Sequence, residues 1–410
     1  MIKQIKKILI LSIIASSSLF AQNDSTTIRT LKRISANDST EVTNQDAMFA
    51  RPFIGIGKSK TAVGGYLEGN TNYFAEDGVT EGYSMELRRF NIFLYSKISK
   101  RIRFLAEIEF EHGAEEIAIE TALIDFEVNP ALNFRAGILL PQIGLFNANH
   151  DSPRWEIINR PLSSTTIIPS TLSEVGFGFY GKFYPGKNII TYDVYMVNGL
   201  QHNIVNSEEG KTWIPAGKDE EMFGEDNNGT PMYNARVAFN NRKLGELGVS
   251  YYGGIYNTYR LEGEEVDDKR SVKLMALDFS TKIYKATIQG EFVSASIDVP
   301  NDLDEMYATK QLGYFAEVIY PVLNRKMLGY DNAVINTTFR YEYVDYNIGT
   351  FASTNENIGD HVQAFVFGVG FRPTAATSIR FNYRYHKTTD ILGNPPALMG
   401  GFQFGFATYF

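Results

Sequence analysis

Short segments of alternating apolar and polar residues follow one another from about residue 62 to the end of the chain. Successive side chains of a β-strand point to opposite faces, so this period of two predicts strands with one apolar and one polar face. In the last segment, 399–410, one face carries four phenylalanines: Phe402, Phe404, Phe406 and Phe410. The opposite face is small or polar, as expected where one side of a strand meets lipid and the other meets water.

Sixteen segments of this kind are predicted, with an uncertainty of two because the alternation is weak in 62–74, 271–282 and 360–371. Most are close to the length of about 9–11 residues with which a tilted strand spans a membrane. The predicted strands are 62–74, 84–98, 102–112, 117–129, 132–140, 174–184, 188–199, 232–241, 245–258, 271–282, 284–297, 310–323, 333–346, 360–371, 376–387 and 399–410.

The connections alternate in length, which is a second and independent pattern. In outer-membrane barrels the periplasmic turns are short and the extracellular loops are long. Two connections depart from the rhythm, a long one at 324–332 and a short one at 113–116. A soluble sandwich or propeller would not explain why short and long connections alternate along the chain. We therefore predict an all-β fold, a transmembrane antiparallel β-barrel of about 16 strands, wide enough to leave an aqueous lumen.

The N-terminus has the pattern of an export signal. Three lysines precede an apolar run, and Ala21 is the expected residue before the cut. The predicted organisation is a signal peptide at 1–21, a flexible periplasmic segment at 22–52 and an outer-membrane barrel at 53–410. No later stretch has the roughly 18 consecutive apolar residues of a membrane helix.

Composition removes several functional classes. The chain has no Cys, which excludes disulfides, thiolate metal sites and a cysteine nucleophile. Without the three N-terminal lysines there are 36 basic and 47 acidic residues, a net charge of −11, which makes nucleic acid an improbable partner. The pattern implies no cofactor and no metal site.

The connection 141–173 is long and rich in apolar residues, including Trp155. An exposed loop would not carry them, so we expect this third extracellular loop to fold into the barrel and narrow the pore. The alternative is a loop on the rim or in a contact between subunits. Five polar residues are candidates for the constriction: His150, Asp151, Arg154, Glu156 and Arg160.

The polar face of the predicted strands carries charges of both signs. The basic candidates for the channel lining are Arg89, Arg135, Lys285, Arg340, Arg380 and Arg384. The acidic residues on the same face include Glu107, Glu109, Glu111, Asp125, Glu127, Glu291 and Glu342. Because the size and charge of the lining decide selectivity, a mixed lining predicts a general or weakly selective pore.

Two other patterns offer weaker alternatives. The glycines at 176–181 match G-x-G-x-x-G but lie within a predicted strand, where glycines on the lumen face are the better account. His112, His150 and His202 could form a cluster at the extracellular rim, so an outer-membrane hydrolase is one alternative, although no Ser/His/Asp arrangement stands out. A surface barrel that binds or adheres through its long loops is another.

Five further stretches have a distinctive pattern of spacing and residue type: 88–113, 134–153, 158–162, 174–183 and 195–200. Together they resemble one known family, the phosphate-selective porin O and P family in its Bacteroidetes form. The resemblance implies a homotrimer of 16-stranded barrels in the outer membrane of a Gram-negative bacterium, with an inward third loop and diffusion of small hydrophilic solutes, including anions such as phosphate. Phosphate selectivity in that family is associated with ladders of Arg and Lys, which the mixed lining does not reproduce.

The expected surroundings of the protein follow from this class. The barrel would contact outer-membrane lipid and lipopolysaccharide. In bacterial outer-membrane proteins generally, a C-terminal phenylalanine is part of the signal read by the barrel-assembly machinery, and this chain ends in Phe410.

Overall fold

The structure is a computed structural model that describes residues 43–55, 59–205, 210–218 and 220–410. The predicted signal peptide, 1–21, and residues 22–42 of the predicted flexible segment lie outside the described residues.

Sixteen strands form the barrel, which confirms the predicted number. They are β1 Thr61–Glu76, β2 Tyr83–Lys97, β3 Ile102–Glu111, β4 Glu116–Asn129, β5 Leu132–Leu139, β6 Glu174–Phe183, β7 Asn188–Val197, β8 Met232–Asn241, β9 Gly245–Ile255, β10 Ser271–Ile283, β11 Ala286–Ile297, β12 Lys310–Met327, β13 Tyr330–Asp345, β14 His361–Thr374, β15 Thr377–Thr389 and β16 Ala397–Tyr409.

The remaining elements are short and lie in the connections. The third long connection contains helix α1, Leu162–Thr166, and 3₁₀ turns at Asn147–Asn149 and Ser152–Arg154. The other elements are a small hairpin (Arg260–Leu261, Glu264–Glu265) and 3₁₀ turns at Asn44–Phe49, Pro52–Gly55, His202–Ile204, Ile214–Gly217 and Glu220–Phe223. The described residues include no helix long and apolar enough to cross a membrane.

Each strand pairs antiparallel with the next along the chain, and β1 pairs with β16 to close the sheet. The closing register runs from Tyr66 opposite Tyr409 to Glu76 opposite Met399. Closure gives every strand two neighbours, so the barrel has no free edge that could pair with another chain.

The two irregular connections have different outcomes. The predicted long turn at 324–332 is wrong, because β12 and β13 continue until only Leu328 and Gly329 separate them. Leu328 and Gly329 both have positive φ, as a tight two-residue turn requires. The connection between β3 and β4 is short, as its sequence indicates.

The outer face is apolar and the inner face polar, as the alternation predicts. On β16, Phe404 is 50% exposed, whereas the neighbouring Gln403 is 2% exposed. The same pattern continues on β15, where Phe381 is 47% exposed and Asn382 is fully buried. The outer face therefore has the composition that contact with lipid requires.

Two β-bulges change which residues face inward. Arg88 is an extra residue between β1 and β2, and Glu120 is an extra residue between β3 and β4. A bulge leaves one residue unpaired and shifts the alternation by one position. Consequently Arg88 as well as Arg89 lines the lumen, and Glu120 is buried there beside Thr121.

The predicted flexible segment differs from the structure over its last ten residues. It contains the 3₁₀ turn Asn44–Phe49 and the start of the turn Pro52–Gly55, and Gln45 and Arg51 are each 2% exposed. Their side chains bond to the inner wall of the barrel, so burial and hydrogen bonding order a stretch whose composition favours flexibility. The inner wall supplies partners that are not visible in the local sequence.

Candidate functional site

Five of the six basic residues predicted to line the channel lie on the inner wall, and each of the five is paired with a carboxylate. Arg89 contacts Glu109 at 2.8 Å, Glu68 at 3.2 Å and also Glu111. The other pairs are Arg135–Asp125 at 3.2 Å, Arg340–Glu317 at 2.6 Å, Arg380–Glu68 at 3.2 Å and Arg384–Glu342 at 3.0 Å. The positive charges of the wall are therefore largely neutralised.

Lys285, the sixth, is not on the wall, and its predicted position is wrong. It lies exposed in the two-residue turn between β10 and β11. The alternation of 284–297 includes Lys285, but Tyr284 has a positive φ, which turns the chain before the strand begins. The alternation is correct for β11 itself, but extending it back to Lys285 placed a turn residue on the lumen face.

The acidic candidates lie on the inner face of the wall. Glu107, Glu109 and Asp125 are buried. Glu127 lies nearer the turn that follows β4 and contacts Arg103 at 3.2 Å, while Arg103 also bonds to Asp125.

The third long connection, residues 141–173, crosses the interior of the barrel. From the end of β5 its backbone N–H groups reach inner-face acceptors on other strands: Asn234 of β8 (from Gln142, 3.1 Å), Ser250 of β9 (from Gly144, 3.0 Å), Glu291 of β11 (from Leu145, 2.8 Å), Glu342 of β13 (from Leu162, 3.0 Å) and Asn382 of β15 (from Ile158, 2.8 Å). Partners on so many strands can be reached together only from inside.

Gly144 shows how closely this loop approaches the wall. Its φ is +62°, and a Cβ atom there would lie 2.1 Å from a carboxylate oxygen of Glu291. Glycine is the residue that accepts both the left-handed backbone and the close approach. Glu291 also accepts a bond from the Ser164 hydroxyl at 2.7 Å, so one buried carboxylate holds two parts of the loop.

Arginines of the wall hold the loop by its backbone. Arg380 donates to the carbonyl of Ser152 at 3.2 Å, and Arg340 donates to that of Asn159 at 2.9 Å. Arg372 donates to the carbonyl of Pro153 at 2.8 Å. These arginines therefore have a structural role in fixing the loop, in addition to any effect on passing solutes.

His150 and Asp151 lie in a buried charged cluster between the loop and β3–β4. His150 Nδ1 bonds to the carbonyl of Asn147 at 2.9 Å, and its Nε2 lies 2.8 Å from Glu120 and 3.5 Å from Glu107. Burial alone would lower the pKa of His150, but Glu120 and Glu107 outweigh it and raise that pKa to about 10. The imidazole is therefore a cation at neutral pH.

Arg51 completes this cluster from the N-terminal segment. It donates to Asp151 at 2.8 and 2.9 Å and to Glu107 at 2.6 Å. Burial would raise the pKa of Asp151, but Arg51 and Arg154 outweigh it and lower that pKa. Ligand atoms of Glu107, His150 and Asp151 lie within 4.8 Å of one another, a spacing that suits a metal ion, but Arg51 supplies the positive charge there.

The other loop candidates serve as anchors. Arg154 bonds to the hydroxyl of Tyr409 at 2.9 Å and to the carbonyl of Ala47 at 2.7 Å. Glu156 pairs with Arg372 at 2.5 Å. Arg160 bonds to Thr171 at 3.2 Å and lines the cavity described next.

A cavity of about 840 Å³ opens at the end of the barrel that carries the long connections, and we call it the vestibule. Its charged lining is Arg88, Arg89, Arg160, Lys218 and Arg384 on the basic side and Glu109, Glu111, Glu115, Glu116 and Glu120 on the acidic side. Behind it lies a cavity of about 10 Å³, room for about one water molecule.

The three histidines of the alternative rim cluster have different surroundings. His150 is buried in the lumen, whereas His112 is exposed and contacts Glu86 at 2.8 Å. His202 is exposed in a 3₁₀ turn. The glycines at 176 and 178 lie in β6. A Cβ on Gly178 would lie 2.0 Å from the carbonyl oxygen of Val194 and 2.7 Å from the Tyr195 ring, so the neighbouring strand β7 rather than the loop requires glycine.

Sequence reasoning missed several charges of the lumen. Glu68 and Glu317 occupy inner-face positions of the strand alternation, which is the same pattern that identified the other candidates. Arg88 and Glu120 had no such signal, because a bulge reverses the parity of each. Arg51 lies in a stretch without a period, so only the tertiary structure brings it into the lumen.

The comparisons with known proteins agree with this barrel. No family model matches the chain. An uncharacterised protein of Aquifex aeolicus (strain VF5) is 26% identical over 381 residues, which cover 83% of this chain and 82% of that protein.

Solved structures with a similar fold include outer-membrane proteins and a porin. The channel DcaP of Acinetobacter baumannii matches with a TM-score of 0.55 and 13% identity over 86% of this chain and 99% of its own. The anion-selective porin of Comamonas acidovorans matches with a TM-score of 0.54 and 12% identity over 86% and 100%. OmpT of Vibrio cholerae, in a trimer form, matches with a TM-score of 0.51 and 10% identity over 86% and 100%. At such identities these likenesses establish the fold.

Proposed function

We propose that this protein is an outer-membrane porin through which small hydrophilic solutes diffuse passively. The observation that carries the proposal is a closed 16-stranded barrel with an apolar outer face, a charged inner face and a vestibule of about 840 Å³. A barrel of this size has room for a solute path, unlike one of about eight strands. Its structural neighbours include a channel and an anion-selective porin, which supports the same function.

The proposed setting is the outer membrane of a Gram-negative bacterium, reached with the signal peptide at 1–21. Lipid and lipopolysaccharide would contact the apolar outer face, and the strand that ends in Phe410 would be read by the barrel-assembly machinery. A homotrimer is proposed because a neighbour of the same fold has a trimer form.

The proposed pore is weakly selective rather than built for phosphate. Five wall arginines are paired with carboxylates, and the vestibule carries both signs of charge. Membership of the phosphate-selective O and P family is the finer form of the proposal, and that family's arginine and lysine ladders would need unpaired cations.

The experiment is stepwise conductance of the purified protein in a planar bilayer, with the reversal potential read under a KCl gradient and phosphate then added. We expect conductance steps, a small selectivity and no block by phosphate. Anion preference with block by phosphate would replace weak selectivity with the phosphate-selective form. Residues 43–52 bond to the inner wall of the barrel, so a variant that lacks them is recorded beside the wild type. If neither protein shows conductance steps, the proposed channel function is overturned.

Shortening a long loop distinguishes a porin from the two alternatives, a surface-binding barrel and a hydrolase. A surface-binding barrel or a hydrolase would lose its activity when a long loop such as 199–231 is shortened. A porin with the same deletion would keep or enlarge its conductance. Binding, hydrolysis and conductance of one loop-deleted variant therefore distinguish the three functions.

A further inference from the structure

Residues 43–55, which we call the N-terminal segment, lie in the lumen and bond to strands on several sides. The backbone N–H of Asn44 lies 3.1 Å from a carboxylate oxygen of Glu246 on β9. The amide of Gln45 donates to Asp193 of β7 at 2.8 Å. The Thr43 hydroxyl accepts from Lys182 of β6 at 3.1 Å.

Arg51 connects the segment to both the loop and the wall. Its guanidinium is bonded to Asp151 of the loop and Glu107 of β3, and it lies 3.7 Å above the ring of Phe93 on β2. Buried ion pairs of this kind hold elements in a defined arrangement, although their net contribution to stability is small.

Apolar contacts fill the remaining space around the segment. The ring of Phe53 stacks on that of Phe93 at 5.6 Å between centroids, and Phe49 lies under the guanidinium of Arg103 at 4.1 Å. Met48 is 1% exposed and packs in the same apolar cluster as Leu105. These contacts pack the N-terminal segment against the inner wall at β2 and β3.

The inner residues of β3 show where the segment stands relative to the vestibule. Glu111 and Glu109 line the vestibule, and the next inner residue, Glu107, is bonded to Arg51. Leu105 and Arg103 follow, packed against Met48 and Phe49. Along this wall the segment therefore begins where the vestibule ends.

The partners of Arg51 do not depend on it alone. Glu107 also accepts from the Asn91 amide at 2.7 Å, and Asp151 accepts from the Tyr409 hydroxyl at 2.7 Å. If Arg51 left, both carboxylates would keep a hydrogen bond, which limits the cost of leaving a buried charge unsatisfied. The segment is joined to β1 by five residues, 56–60.

We propose that the N-terminal segment is a displaceable plug that closes the floor of the vestibule, and that solutes pass only when it moves. This inference rests on the proposed channel function. It assigns gating to a part of the chain outside the barrel strands and the third loop, and it names Arg51 as the residue that holds the closed form.

The test locks the plug with an engineered disulfide. An ideal Cβ on Gly64 would lie 2.5 Å from the Cβ of Phe53, so a shift of about 1 Å gives disulfide geometry, and replacing Phe53 removes the ring that fills this space. The natural chain has no Cys, so an F53C/G64C variant carries only the intended pair. Conductance is recorded in oxidant and again after reduction, with F53C and G64C alone as matched controls.

We expect the oxidised F53C/G64C variant to lose conductance and to regain it on reduction, while both single variants stay unchanged by oxidant. A second variant lacking residues 43–52 should conduct more, and for a larger share of the time, than the wild type. A locked variant that conducts like the wild type would overturn the plug and leave the channel standing. If the wild type, the reduced variant and the deletion all fail to conduct while folded, the channel itself is overturned.

Discussion

The two halves of the lumen differ in how their charges are used. At the open side of the vestibule, charged residues face open space: Glu115 and Glu116 are exposed there, and Arg88, which bonds to Asn159 of the loop, is only half-buried. In the packed half, similar residues are buried and bonded to the loop or to the N-terminal segment, as Arg380 and Glu107 are. The comparison teaches that a charge on the inner face of a barrel can face open space or hold a packed segment, according to what fills the space before it.

The largest expected difference is in stability. Arg380→Met leaves Glu68 and the loop carbonyls with fewer partners in the packed half, and removal of one member of a buried pair costs about 3–5 kcal/mol. The matched change in the vestibule, Arg88→Met, removes a single bond to Asn159 and should cost about 1–2 kcal/mol. Equilibrium urea unfolding of both folded variants measures the two values, and equal losses would contradict the division of the lumen.

A second effect is the pH dependence of the buried cluster. The pKa of His150 is raised from its ordinary value of 6.5 to about 10, so its contribution to stability is full below pH 6.5 and is lost as the pH rises through about 10. Thermal unfolding in detergent between pH 6 and 11 should therefore show a decline in the wild type near pH 10 that a His150→Gln variant lacks. Parallel curves for the two proteins would show that the imidazole is not charged in the fold.

The smallest expected effect is on selectivity. Replacing Glu115 and Glu116 together by glutamine removes two exposed negative charges from the vestibule, so the reversal potential should shift towards anions without a change in stability. The control replaces the exposed pair Glu264 and Glu265 of the small hairpin, which does not line the vestibule. Identical shifts for the two pairs would indicate a general surface-charge effect and remove the vestibule from the solute path.

The barrel could be predicted from the sequence because its information is local. Alternation places Phe404 outside and Gln403 inside, and each strand pairs with its neighbour in the chain, so a period and a turn are enough. The errors occurred where one residue changes the period. Tyr284 turns the chain before β11 and exposes Lys285, and the bulges at Arg88 and Glu120 reverse the parity of the residues that follow.

By itself, then, the sequence determined the strand number, the closed antiparallel order and which face of the sheet is apolar, since these depend on residues near one another in the chain. Only the tertiary structure decided that residues 43–55 lie in the lumen and that Arg51 meets Asp151 and Glu107. Those partners are 100 and 56 positions away, and no periodic pattern specifies such a meeting. These contacts form because a charged group buried in an enclosed space without a partner costs free energy, so each charge is stable there only when it is paired or hydrogen-bonded.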